Sequence, residues 1–90
     1  MYRDIGIEIG EIVDKKNMAY GSAVEKTEAF LKLLYPEGIK PEQYRDALAL
    51  VRDFDKSVRI ATNNDPFGED PWADKAGYGI LMTGIRRATK

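Results

Sequence analysis

Apolar residues recur at helical spacing along most of the chain. From about Tyr2 to Lys16, Ile5, Ile9, Ile12 and Val13 share one face, and Asp4, Glu8 and Glu11 share another. This is the pattern of an amphipathic helix. Gly6 and Gly10 each weaken that helix by roughly 1 kcal/mol relative to alanine, and they leave room for a neighbouring helix. Ile7 lies off the main stripe, so a short strand is the alternative there. Asn17-Met18-Ala19-Tyr20-Gly21 reads as a loop. Ser22-x-x-Glu25 then has the spacing of a capping box, in which each side chain satisfies a free backbone N–H at a helix start. The second helix turns Ala23, Thr27, Phe30, Leu31 and Leu34 inward and ends at Pro36-Glu37-Gly38.

The third helix is the most regular. Pro41 suits a first helical position and Gln43 follows in the first turn. Tyr44, Ala47, Leu48, Val51, Phe54, Val58 and Ala61 then repeat at helical spacing to about Thr62. A dense turn cluster, Asn63-Asn64-Asp65-Pro66-Phe67-Gly68, separates it from a fourth helix. Asp70 caps that helix and Pro71 opens it. It runs to about Arg87, with Arg86, Arg87 and Lys90 where the helix dipole favours cations. Helix 4 is apolar on two faces: Ala73, Ala76, Gly77, Ile80, Leu81 and Gly84 on one, and Tyr78, Met82 and Ile85 on the other. A helix apolar on both sides is normally covered on both. The expectation is a compact all-α, four-helix domain over residues 1–90, assembled as a homo-oligomer in which the second face of helix 4 meets another subunit.

Composition narrows the chemistry. A chain of 90 residues buries only about 60–65% of its extended surface, so association would add stability. Cysteine and histidine are both absent. That removes disulfides, thiolate catalysis, Cys/His zinc sites and histidine acid–base chemistry. A net charge of −1 gives no overall pull towards nucleic acid or membrane, so any anion site must be a local cluster. No stretch has the length of a membrane helix and the N-terminus lacks a signal-peptide core. Cytoplasm is the expected location.

One such cluster stands out. On a wheel of about 100° per residue, Arg45, Arg52, Lys56 and Arg59 of helix 3 fall in one narrow sector. Like charges so placed repel by a few tenths of a kcal/mol per i,i+4 pair, and something must offset them. One candidate is the acids of helices 1 and 2, Glu8, Glu11, Glu25 and Glu28. The other is an anionic ligand held by bidentate arginine contacts. Asp55 borders this stripe and the apolar face, where it pairs with a cation, or holds a metal ion or a ligand hydroxyl. Tyr20, beside Lys15, Lys16 and Asn17, is a candidate platform for a base, as is Trp72; Phe67 and Trp72 also suit a hydrophobic staple at the helix 3–helix 4 corner. The carboxylate pairs Glu8/Glu11, Glu25/Glu28 and Asp70/Asp74 have helical spacing and would bind magnesium only if two helices brought them together. No glycine-rich phosphate loop and no zinc signature is present.

These residues occur in an order that resembles a known group: Lys16-Asn17-x-x-Tyr20-Gly21, Leu34-Tyr35-Pro36-x-Gly38-Ile39, Pro41-Glu42-Gln43-Tyr44, Asp55-Lys56-x-x-Arg59-Ile60-Ala61 and Phe67-Gly68-Glu69-x-Pro71-Trp72-x-Asp74-x-Ala76-Gly77-Tyr78. The chain is similar over nearly its whole length to a family of small phage and prophage proteins. These are related to the nucleotide-modification-associated domains and, more distantly, to the MazG-like all-alpha nucleotide pyrophosphatases. The MazG-like enzymes hold magnesium on a Glu-Glu-x-x-Glu motif and a later Glu-x-x-Asp. Here the nearest equivalents are Glu25-x-x-Glu28 and Asp70-x-x-x-Asp74, with different spacing. A helical ligand one residue out of register rotates by about 100°, so binding survives this departure better than hydrolysis does.

Together the residues and the resemblance point to a non-catalytic binder of a phosphorylated signalling nucleotide, linear or cyclic, sequestered as a counter to antiphage defence. Arg52, Lys56 and Arg59 would neutralise phosphate, Tyr20 or Trp72 would stack on the base, and Asp55 would orient an arginine. Lys16, Asn17 and Asp74, which belong to the shared motifs, complete the expected ligand-binding set. No cofactor is expected for a binder. The alternatives are a magnesium-dependent MazG-like nucleoside triphosphate pyrophosphatase, marked by convergent carboxylates, and a phage protein that inhibits a host factor, marked by an exposed apolar patch. Nucleic acid and membrane are not expected partners.

Overall fold

The computed structural model describes residues 1–20, 22–62, 68 and 70–89, the side chains of Ala19 and Tyr20 excepted. The all-α expectation holds, with no strand among the described residues. Helix α1 spans Tyr2–Tyr20, α2 Ala23–Leu34, α3 Tyr44–Thr62 and α4 Pro71–Ala88, and a 3-10 turn, Pro41–Gln43, leads into α3. Among the described residues, no helix is long and apolar enough to cross a membrane.

Two local expectations are corrected. The loop expected from Asn17 is helical through Tyr20. Met18 and Ala19 are strong helix formers and nothing before Gly21 breaks the pattern. The chain turns at Ser22, whose backbone is left-handed (φ 58°, ψ 46°) and whose N–H donates to the Asn17 carbonyl at 3.3 Å. That conformation also undoes the expected capping box. A capping serine reaches the helix amides from an extended backbone, and Ser22 makes no side-chain capping bond.

The starts of α3 and α4 are built as expected. The Lys40 N–H donates to Gln43 Oε1 at 3.0 Å. The Ala73 N–H donates to Asp70 Oδ1 at 3.1 Å, with Pro71 in the first turn.

Helix α3 is central, with α4, α2 and α1 each packed on it. Three ion pairs join α3 to α4: Asp53 with Lys75 at 2.8 Å, Lys56 with Asp74 at 3.2 Å and Asp46 with Arg86 at 3.6 Å. Early positions of α3 meet late positions of α4, so the two helices run antiparallel. Lys75 Nζ also donates to Ser57 Oγ at 2.7 Å. The α2–α3 contact is centred on stacked rings, Phe30 and Phe54, with centroids 4.2 Å apart and planes 13° apart.

The core is thin. Among the described residues only Ala47 and Val58 are buried, at 5% and 4% exposure, and both lie on α3. Tyr44 and Leu48, assigned to the same inward face by periodicity, are 60% and 57% exposed. The chain is also less compact than expected. Its radius of gyration is 16.1 Å and its extents are 51 × 30 × 26 Å, against about 12 Å for a compact chain of this length. Ile5, Ile9, Ile12 and Val13 of α1 are all exposed. In α4 the face turned towards α3 carries Asp74, Lys75, Tyr78, Met82 and Ile85, and the outward face carries Ala73, Ala76, Gly77, Ile80, Leu81 and Gly84. The open side of α4 is therefore its first apolar face, not the second.

Candidate functional site

Three of the four cations of α3 converge. Arg52, Lys56 and Arg59 line a groove with Leu48, Val51 and Asp55 of the same helix and Tyr78 of α4. Arg45 shares the angular sector but sits two turns earlier. It lines a separate depression with Pro41, Glu42, Asp46, Met82 and Arg86. A helical wheel shows direction and hides axial distance: the seven residues from Arg45 to Arg52 span about 10 Å of helix.

A second groove flanks the same ridge on its α2 side. It has a volume of about 560 Å³ and is walled by Ala23, Val24, Thr27 and Leu31 of α2 and Val51 of α3. Asp55 and Arg59 close one part of it and Glu28 lies on its rim. Val51, Asp55 and Arg59 are common to both grooves, so the apolar groove and the cationic groove adjoin along α3. A volume of several hundred Å³ with apolar walls and a few polar groups is the usual form of a small-molecule site.

The electrostatics centre on Asp55. Burial pushes its carboxyl above the usual carboxylate range, against the pull of Arg59, Lys56 and Arg52, which favour the charged form. The half-buried Lys56 also reaches Asp74 at 3.2 Å. An acid that offsets this lysine thus comes from α4. Glu28 is occupied by its own helix: Lys32 lies 2.9 Å away and holds its carboxyl below the usual range. Among the described residues, no three carboxylates gather in a way that could hold a metal ion.

The expected ligand-binding set is therefore divided. Arg52, Asp55, Lys56 and Arg59 stand together, and Asp74 joins them through Lys56. Trp72 is 65% exposed on the first turn of α4. Lys75 Nζ is 6.0 Å from its ring centroid, and the ring does not line either groove beside Arg59. Lys16 and Asn17 lie exposed on α1 and line neither groove. The helix that replaces the expected loop carries them out along its own surface. The Tyr20 side chain and Phe67 lie outside the described residues.

The aromatic that does line the cationic groove is Tyr78, which periodicity assigns only to an apolar face. Its signal is positional. Asp74 and Tyr78 are four residues apart, so the helix face that brings Asp74 to Lys56 brings Tyr78 to the same ridge. The apolar wall of Val24, Leu31 and Val51 carries no comparable mark in the sequence. A third groove, of about 500 Å³ on another side of the α3–α4 seam, holds Tyr35, Leu50, Met82 and the paired groups Asp53–Lys75 and Asp46–Arg86. Its charges already offset one another, which leaves it no pull on an anion. No family model matches this chain, and no curated protein or solved structure is significantly similar to it.

Proposed function

We propose that this protein binds a phosphorylated nucleotide along α3 and holds it without cleaving it. The observation that carries this reading is the juxtaposition of Arg52, Lys56 and Arg59 with an apolar groove of about 560 Å³ that shares Val51, Asp55 and Arg59 with them. Guanidinium groups take phosphate oxygens in bidentate pairs. The Val24–Leu31–Val51 wall is suited to a base or sugar face, and Tyr78 offers a ring beside the cations. Asp55 restrains the arginines electrostatically and keeps the groove from being a bare positive patch. Among the described residues no three carboxylates gather around one ion, and phosphoanhydride cleavage by bound metal needs acids that do, which favours holding over hydrolysis. With the resemblance to small phage proteins, this extends to sequestration of a signalling nucleotide used in antiphage defence, in the cytoplasm of the infected cell. The same reading makes the chain one subunit of a homo-oligomer, which the exposed apolar faces of α1 and α4 support.

The test is a thermal-shift screen of the whole chain against mononucleotides, nucleoside triphosphates, cyclic di- and trinucleotides and inorganic phosphate. Ligand recovered after denaturation is then identified by chromatography. The expected result is a shift with one nucleotide class, that nucleotide recovered intact, binding abolished by Arg59→Ala and binding retained in Arg45→Ala. Absence of a shift with every nucleotide, or unchanged affinity in Arg59→Ala, overturns the proposal. Recovery of a cleaved product overturns its non-catalytic part.

A further inference from the structure

Among the described residues, large apolar side chains stay exposed on every helix, and α1 has the most of them. On α1, Ile5, Ile9, Ile12 and Val13 are 44–55% exposed, and on α4, Ile80 and Leu81 are 76% and 55% exposed. The total accessible surface is 7128 Å². A compact monomer of this mass exposes about 5300 Å², so the excess is about 1800 Å². Obligate dimers bury roughly 1000–2500 Å² on each partner. The surplus is therefore the amount that one partner subunit covers.

Charge selects the partner and its direction. Helix α1 carries Arg3 at its start, then Asp4, Glu8, Glu11 and Asp14, and Lys15 and Lys16 after them. Helix α4 begins with Asp70 at its cap and Asp74 in its first turn, and ends with Arg86 and Arg87. Laid antiparallel with midpoints aligned to within a residue, Asp4 falls beside Arg86 and Lys16 beside Asp74, with Arg3 near Arg87. A parallel arrangement sets acid against acid and base against base. Helices of 19 and 18 residues extend about 28 and 27 Å, so neither overhangs the other. With Ile9 set between Ile80 and Leu81, about one residue from aligned midpoints, Ile5 falls beside Gly84 and Ile12 beside Gly77. Cβ positions at Gly77 and Gly84 meet nothing within 4 Å, which leaves space there for isoleucine side chains.

From this we infer that two copies of the chain form a two-fold dimer, in which α1 of each packs antiparallel on the outward face of α4 of the other. The inference rests on the homo-oligomer reading above and names its surfaces. It is independent of the nucleotide. The reciprocal exchange covers both open faces in both subunits, and it leaves the Arg52–Arg59 ridge of α3 outside the contact.

The chain lacks cysteine, so single cysteines report the pairing directly. Light scattering on the eluting full chain is expected to give twice its 10.2 kDa. Ile9→Cys and Ile80→Cys, mixed and oxidised, are expected to form a disulfide-linked dimer in high yield, and each variant alone is expected to form little. Circular dichroism on each variant checks that helix content is kept. A monomer overturns both the pairing and the oligomer reading, and leaves these faces to a different protein. A dimer that cross-links through Ile9→Cys alone or Ile80→Cys alone, or a mass above that of a dimer, overturns the reciprocal α1–α4 pairing and spares the oligomer reading. A nucleotide-induced thermal shift that persists in either outcome separates this test from that of the binding site.

Discussion

Lys56 Nζ and Asp74 Oδ2 lie 3.2 Å apart, and their contact joins the candidate binding ridge to the packing of α4 on α3. Beside it the polarity is reversed: Asp53 of α3 takes Lys75 of α4 at 2.8 Å. The same few residues thus fix how α4 lies along α3 and where Tyr78 stands relative to the cations. Helix α3 contributes both the only buried side chains among the described residues, Ala47 and Val58, and the candidate site. Its apolar face holds the fold together while its cationic ridge stays open.

The Asp53–Lys75 pair tests the seam away from the cations. Both side chains are partly exposed, so solvent screens much of their attraction. A double-mutant cycle with Asp53→Ala and Lys75→Met is expected to give a coupling of about 0.5–1 kcal/mol in chemical denaturation. A coupling near zero would show that the antiparallel seam is held by its apolar contacts alone.

The ring stack of Phe30 on Phe54 is the main tie between α2 and α3. Truncating a large aromatic in a packed site costs about 3–5 kcal/mol. Both rings are half-buried here, so Phe30→Ala is expected at or below the lower end, about 2–3 kcal/mol. The measurement is the change in unfolding free energy from urea melts. Phe30→Leu should recover part of the loss by keeping apolar volume.

Asp55 makes stability depend on pH in a direction opposite to that of a salt-bridged aspartate. Burial raises its folded-state value above that of the unfolded chain, against Arg59, Lys56 and Arg52. The folded protein therefore binds its proton more tightly than the unfolded one. The stabilisation is fully present below the ordinary aspartate range and is lost as pH rises through the raised value. Relative to wild type, Asp55→Asn is expected to gain thermal stability at neutral pH and to lose that advantage on acidification. Parallel melting curves of the two proteins from neutral to mildly acidic pH check the sign. A difference between them that stays constant with pH would contradict it.

The helical organisation was legible in the residues because period and punctuation agreed. Pro41 and Gln43, the Asp70-Pro71 cap and the helical span of α3 lie where the pattern puts them, while Tyr44, Leu48 and Ala61 of its repeat are exposed. Two kinds of information were not legible. The conformation at Ser22 overrides its capping spacing, because a side chain caps only from the right backbone geometry, and spacing carries no φ angle. Axial position was lost as well: Arg45 shares a direction with Arg59 but not a place, while Tyr78 entered the groove through α4's register on α3. Register arises from the Asp53–Lys75 and Lys56–Asp74 pairs, which are contacts between segments that no local pattern connects.

The two helix starts offer a paired prediction in which similar residues behave differently. Asp70 accepts the Ala73 N–H at 3.1 Å, and removing such a cap costs about 1 kcal/mol. Asp70→Ala is thus expected to lower stability by about that amount. Ser22 precedes α2 in the matching position, but its side chain makes no capping bond and its φ is 58°. Ser22→Ala removes no capping bond. Ser22→Gly relieves the left-handed strain of a residue with a Cβ, which costs roughly 1 kcal/mol, less the extra flexibility that glycine gives the unfolded chain. The expected order of stability is Ser22→Gly at or above wild type, Ser22→Ala close to wild type and Asp70→Ala below it, read from urea midpoints at a common denaturant slope. A loss in Ser22→Ala as large as that in Asp70→Ala would mean that Ser22 caps α2 after all, from an extended backbone rather than the left-handed one with φ 58°.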